Sequence, residues 1–221
     1  MRVEQDGVVY VTKNGVAIVE GLSDVSKKDI IIQKEINGCP VEIISESAFF
    51  GLDIHSIVLP HSLKRIESRA FALCEHLEIV LRDSIKKQFV CEMLTIEPSA
   101  FAQCVRLKKF NMSKHLSLND HSFSRCFSLK SIDAIAKAVG EVFVCCDNLS
   151  CVTFTNNCDL TQFIDLESGI KTYNLLGDAK VEKDFLDIIR NRNIKIECYN
   201  NSNLCELAYD GVSVYAMDEL F

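Results

Sequence analysis

One phrase, S-x-A-F-x-x-C-x-x-L, returns along this chain about every 22 residues with the same residue types in the same slots. It reads Ser68-Arg69-Ala70-Phe71-Ala72-Leu73-Cys74-Glu75-His76-Leu77, then Pro98-Ser99-Ala100-Phe101 with Cys104 and Leu107. Weaker copies follow at Ser122-Phe123 with Cys126 and Leu129, and at Val142-Phe143 with Cys146 and Leu149. An opening copy, Ser47-Ala48-Phe49 with Leu52 and Ile54, is one residue short before its leucine slot. Self-similarity at a fixed period of this size describes a solenoid, because no single repeat buries its apolar face alone and stacked neighbours share one core.

The repeats run from about Ile43 to Phe154, and their Phe slots, Phe49, Phe71, Phe101, Phe123 and Phe143, are the expected core anchors. Cys74, Cys104, Cys126 and Cys146 share another slot and should stack as a buried ladder of small apolar side chains. The Phe71 to Phe101 step is eight residues longer than the one before it, and aligning the flanking segments places the excess at about Gln88 to Thr95, as a projecting loop. After each leucine slot comes a short alternating run: Ile57-Val58-Leu59, Ile79-Val80-Leu81, Phe110-Asn111-Met112, Ile132-Asp133-Ala134, Val152-Thr153-Phe154. A strand of period two would turn the outer members inward and the central one outward. The outward slots are then Ser56 and Val58, Glu78 and Val80, Lys109 and Asn111, Ser131 and Asp133, Cys151 and Thr153. Val58, Val80, Asn111, Asp133 and Thr153 form the expected partner-binding face, since stacking would align them in one row.

At 48% hydrophobic residues, with 3 Pro and 9 Gly in 221, the chain is folded throughout and has no linker. A net charge of -7 and no basic stripe interleaved with aromatics argue against nucleic acid. No apolar stretch is long enough to span a bilayer, and Met1 to Asp6 is too polar to begin a signal peptide. A cytoplasmic location is expected if Met1 is the native start, a secreted or cell-surface one if a leader was removed. Eleven cysteines, an odd number with no paired C-x-x-C, suit a reducing compartment and offer no zinc framework.

Three segments are expected within one continuous solenoid: a strand-rich cap over 1–42, repeats over 43–155, and degenerate repeats with a second cap over 156–221. The cap holds a hairpin, Gly7 to Thr12 and Val16 to Val19 about Asn14-Gly15, and a strand-like run from Asp29 to Gln33. Near the end the pattern predicts a helix over Val181 to Arg190, a strand over Ile194 to Tyr199, a short helix over Leu204 to Tyr209 capped by Ser202, and a last strand over Val212 to Tyr215.

The phrase I-x-S-x-A-F-x-x-C-x-x-L-x-x-I-x-L-P-x-S-L-x-x-I, as it stands from Ile44 to Ile66 and again from Ile66 to Leu81, resembles the BspA-type, or treponemal-type, leucine-rich repeat. The resemblance implies a right-handed superhelix of short parallel strands, turns and short helices, capped at both ends. It also implies an adhesin-like protein-interaction module, with host matrix proteins among the partners of family members. An intracellular scaffold is the alternative, and a monomer is expected in either case.

Catalytic chemistry finds little purchase. The five histidines, His55, His61, His76, His115 and His121, make no H-x-x-x-H or H-E-x-x-H arrangement, and there is no phosphate loop, nucleophile elbow or paired-carboxylate motif. No enzyme, cofactor or metal centre is expected.

Overall fold

The computed structural model describes residues 1–83, 93–112, 115–199 and 214–217. The chain opens with an antiparallel meander of β1 (Arg2–Gln5), β2 (Val8–Lys13) and β3 (Val16–Leu22). Asn14 and Gly15 are both left-handed (φ 53° and 78°), the backbone that a tight two-residue hairpin turn requires. Then follow β4 (Asp29–Ile31), β5 (Glu35–Ile36), β6 (Cys39–Ile44), β7 (Ser56–Leu59), β8 (Arg65–Ile66), β9 (Ile79–Arg82), β10 (Met93–Ile96), β11 (Lys109–Asn111) and β12 (His115–Leu118). Longer strands come next, β13 (Ser131–Glu141) and β14 (Cys151–Ile164), then β15 (Thr172–Leu175), β16 (Ala179–Lys180), a helix α1 (Lys183–Arg192), β17 (Lys195–Tyr199) and β18 (Val214–Met217). Together they wind a β-solenoid of about seven turns.

Two sheets run along the axis. Sheet A follows the order β1-β2-β3-β6-β8-β10-β12-β13-β14-β15-β17-β18, and sheet B the order β11-β9-β7-β4. From β3 onward every step of sheet A along this path is parallel, and so is all of sheet B, as coils of one hand require. The segment 1–42 already takes part in both, since β3 pairs with β6 and β4 with β7.

The repeated phrase forms neither sheet but a third stack, made of turns. The residue before the Ala slot and the residue two after the Phe slot are left-handed in successive coils: Ser47, Arg69, Ser99 and His121 in the first column, Gly51, Leu73, Gln103, Arg125 and Cys145 in the second. Each aims its N–H along the axis. Arg69 donates to Pro98 O at 3.2 Å, Phe71 to Ala100 O at 2.7 Å and Leu73 to Ala102 O at 2.9 Å, and the next coil repeats the triplet from Ser99, Phe101 and Gln103. A non-glycine residue in this region costs on the order of 1 kcal/mol, which the inter-coil hydrogen bonds offset.

Under these turns the Phe slots stack. Phe49 and Phe71 lie 4.9 Å apart at 3°, Phe71 and Phe101 4.9 Å at 6°, and Phe101 and Phe123 5.2 Å at 9°. Phe110 crosses the column edge-on to Phe101 and Phe123. All five Phe slots and all four Cys slots are buried. Each thiol donates to the carbonyl of the Phe one coil back: Cys74 to Phe49 (3.0 Å), Cys104 to Phe71 (3.1 Å), Cys126 to Phe101 (3.2 Å) and Cys146 to Phe123 (2.8 Å). A small side chain with one weak donor fits this slot better than Ala, which would leave the carbonyl one partner short.

The chord between the two sheets shortens abruptly in mid-chain. Leu116 pairs in register with Ile135, and Ile135 with Phe154. Leu116 therefore stands six positions after the inward slot Phe110, Ile135 three after Ile132, and Phe154 two after Val152. With the corner gone, β13 and β14 run unbroken across both faces. Three residues of extended chain are roughly 10 Å, and the ladder of sheet B lapses at this step. Backbone rungs join Lys28 O to the His55 N–H, His55 O to Glu78, and Glu78 O to Lys108, and they resume from Lys130 O to Ser150 and from Ser150 O to Lys171. Among the described residues none joins Lys108 to Lys130.

Two sequence expectations need correction here. Ala134 does not take an inward slot: it is a left-handed bulge (φ 64°), and Ile135 is the buried residue. The projected loop from Gln88 to Thr95 ends earlier, because Met93 to Thr95 belong to β10 and Leu94 is fully buried. Gln88 to Glu92 lie outside the described residues.

At the far end α1 runs from Lys183 to Arg192, two residues later than the apolar spacing predicts. Its last residue, Arg192, bonds Asp165 at 2.7 Å, and Asp165, with a side chain only 2% exposed, also accepts from the Tyr173 hydroxyl. Arg192 donates further to the carbonyls of Asp165 and Ser168, so one guanidinium ties the helix to the coil beneath it. The expected short helix over Leu204 to Tyr209 lies outside the described residues, as do Val212 and Ser213 of the expected last strand, whose Val214 and Tyr215 lie in β18.

Candidate functional site

The register of sheet B fixes which side chains share its outward face. Asp29, Ser56, Ile79 and Lys109 form one column, and Ile31, Val58, Leu81 and Asn111 another. Val80 is not among them. It pairs with Ile57 and Phe110 and is fully buried, so the expected outward slot is off by one residue and Leu81 takes it. The signal lay in the leucine slot: the first inward strand residue stands three positions after it at Leu107–Phe110, Leu129–Ile132 and Leu149–Val152, and the same count from Leu77 lands on Val80.

The remaining expected face residues divide at the lapse in the ladder. Val58 and Asn111 lie on sheet B, while Asp133 and Thr153 lie on β13 and β14 beyond the gap. N-terminal to it the second outward column is apolar as far as Leu81, with Ile31 65% exposed and Val58 and Leu81 half-buried, beside the more polar column of Asp29, Ser56, Ile79 and Lys109. C-terminal to it the column is polar and bonds to itself: Thr153 donates to Asp133 at 2.9 Å, and Asn174 donates to Cys151 Sγ at 3.2 Å and lies 3.5 Å from Thr153 Oγ1. Stacking thus brings Val58, Leu81 and Asn111 together but does not join them to Asp133 and Thr153 in one row.

Beside the apolar column lies a cluster that no linear motif announces. His55 and His76 sit one coil apart with ring centroids 5.9 Å from each other. Asp53 lies between them, 2.8 Å from His76 Nδ1, 3.5 Å from His55 Nε2 and 2.5 Å from Lys28 Nζ. The hydrogen bond from Lys28, helped by both histidines, holds the Asp53 carboxyl below the usual aspartate range. Next to it Lys108 bonds Glu78 at 2.8 Å and lowers that carboxyl too. A cleft of about 340 Å³ opens here, lined by Asp29, His55, Ser56, His76, Glu78, Ile79 and Arg106. Only the 21-residue separation of the two histidines, one coil, foreshadows it.

Cysteine chemistry is suppressed in the core. Burial pushes the Cys74 thiol up to about 12 and raises Cys104 and Cys126 as well. Cys39, Cys145 and Cys151 are free thiols and partly exposed. Among the described residues no group of His, Cys, Asp and Glu is arranged to hold a metal ion, and no helix is long and apolar enough to cross a membrane.

Solved structures share this architecture. A leucine-rich cell surface protein from Faecalibacterium prausnitzii aligns with a TM-score of 0.63 at 17% identity, over 90% of this chain and 54% of that one. The present chain thus spans about half of that protein's length. A leucine-rich repeat protein from T. pallidum aligns with a TM-score of 0.55 at 18% identity, over 89% of this chain and 98% of that one. No curated protein matches by sequence. The BspA-type leucine-rich repeat region is matched in six copies over residues 42–165, more than half of the chain, the same stretch whose turns, Phe column and thiol ladder repeat in space. The protein therefore belongs to the BspA-type leucine-rich repeat family.

Proposed function

We propose that this protein is a non-catalytic, monomeric interaction module that docks a protein partner on the outward face of sheet B. Leucine-rich repeat proteins generally bind protein partners, and their fold is typically non-catalytic. The observation that carries the reading is the apolar column Ile31, Val58 and Leu81, held in register across three strands, with the Lys28–Asp53 ion pair, His55 and His76 near the start of the same strands. Apolar centre and charged rim is the anatomy of a protein interface, whereas the polar column beyond the gap is tied to itself by the Thr153–Asp133 and Asn174–Cys151 hydrogen bonds. The double variant Val58→Glu/Leu81→Glu should weaken capture of a stoichiometric partner at least tenfold, about 1.4 kcal/mol, with an unchanged melting temperature. Undiminished binding by that variant would remove sheet B as the docking face.

Adhesion to other cells or matrix is the reading that the family favours for such a face. The partly exposed free thiols Cys39, Cys145 and Cys151 favour a scaffold in a reducing compartment instead. Labelling intact cells with a membrane-impermeant maleimide separates the two: modification of these cysteines from outside supports the adhesin, and protection until lysis supports the scaffold.

A further inference from the structure

The gap between β11 and β13 is more than a missing rung. A cleft of about 270 Å³ opens there, with Lys108, Lys109, Phe110, Asn111 and Met112 on one side and Ser131, Asp133 and Ala134 on the other, above Leu116. It reaches the core. Phe110 is 8% exposed, whereas the same slot in the other coils, Ile57, Val80, Ile132 and Val152, is at most 1% exposed. The cause is the shortened chord: β13 turns to sheet A three residues sooner than the coil before it and draws away from β11.

We propose that this cleft is a socket for one aromatic side chain of an extended partner segment, with a carboxylate beside that side chain in the partner sequence. The proposal rests on sheet B being the docking face and names its anchor point. Three observations select the occupant. The volume suits a single large side chain and is too small for a strand or a helix. The floor is Phe110, already edge-on to Phe101 and Phe123, and an incoming ring extends that aromatic cluster. At the mouth Lys108 is engaged by Glu78, and the Asp133 carboxylate, which accepts from Thr153 and keeps its charge, stands on the β13 side; Lys109, on the β11 side, has no ion-pair partner among the described residues, so that side of the rim offers a cation to a carboxylate. The socket stands at the end of the column Ile31, Val58, Leu81 and Asn111, where a segment crossing the strands would arrive.

The test uses fluorescein-labelled peptides, Gly-Glu-Tyr-Glu-Gly against its Tyr-to-Ala and Glu-to-Lys counterparts, titrated with the full chain and read by anisotropy. Saturable binding of the tyrosine peptide is expected, about tenfold weaker or more for either counterpart. Ser131→Trp, which fills the mouth, and Lys109→Glu, which reverses the rim charge, should each cost a similar factor without lowering the melting temperature. Val58→Glu should leave peptide affinity within about twofold, since Val58 does not line the cleft. Equal binding of the tyrosine and alanine peptides, or binding untouched by both socket variants, overturns the proposal. A natural partner lost on Val58→Glu but retained on Ser131→Trp keeps the docking face and removes the socket. The opposite pattern keeps the socket and removes the face.

Discussion

The coils before Met112 and the coils after Ser131 solve the same packing problem in different ways. Before the gap each coil has two short strands joined by a corner, its Phe rings stack nearly parallel, and one outward column, Ile31, Val58 and Leu81, is apolar. After it, in β13 and β14, one long strand serves both faces, the rings tilt to 30° at Phe123–Phe143 and 80° at Phe143–Phe163, and the column of Asp133, Thr153 and Asn174 is polar. Chord length is the variable that changes. A long chord leaves an interior wide enough for a column of stacked rings, and a chord of two or three residues flattens the coil until rings meet edge to face. The same loss of the corner separates β13 from β11, so the cleft sits at the boundary between two regimes and not within either.

The largest effect should come from the ring columns. Phe71→Ala removes a ring stacked on both sides and is expected to cost about 3–5 kcal/mol in urea unfolding, while Phe163→Ala, whose neighbours stand 6.0–6.4 Å away and tilted, should cost at least about 1 kcal/mol less. Equal costs would break the distinction between stacked and tilted cores.

Next comes pH. Unfolded thiols ionise near 9.0, but the Cys74 thiol is held neutral until about 12, so its contribution is intact below pH 9 and is lost as pH rises from 9 through 12. At pH 10.5 that one thiol should cost on the order of 2 kcal/mol. Replacing Cys74, Cys104 and Cys126 by Ala should flatten the alkaline decline in melting temperature. Replacing Cys158, whose burial likewise raises its thiol to about 12, should leave most of it. A decline governed by Cys158 would place the alkaline weakness in the later coils.

The smallest effect concerns the outward columns. Thr153→Val breaks the bond to Asp133 and should cost about 0.5–1 kcal/mol, whereas Val58→Thr should change stability by less than about 0.5 kcal/mol. Comparable losses at both would mean that the apolar column is structural, leaving less of it for a partner.

Where the phrase is intact the sequence was legible. Ala70-Phe71 and Cys74 mark a turn stack whose spacing could be counted, and the Asn14-Gly15 turn carried its own chemistry. The face was legible only in part. Val80 was misplaced because Ile79, Val80 and Leu81 are all apolar, and a run without polar punctuation gives period two no phase. The His55, Asp53 and His76 cluster, the cleft, and the Asp165, Tyr173 and Arg192 clamp were not legible, because each joins residues from different coils through a register that only the folded ladder sets.

The spacing of the Phe rings has a consequence for how such a chain changes over generations. Phe49 to Phe71 spans 22 residues and Phe71 to Phe101 spans 30, yet both pairs stand 4.9 Å apart. Axial rise is set by one hydrogen-bonded step per coil, so distance along the molecule counts coils and ignores residues. Extra sequence within a coil is spent sideways and leaves everything downstream in place. A duplicated coil instead lengthens the molecule by one fixed step, and its turns meet neighbours built to the same pattern. The protein is in this sense a ruler with interchangeable graduations, free to acquire loops without losing its scale.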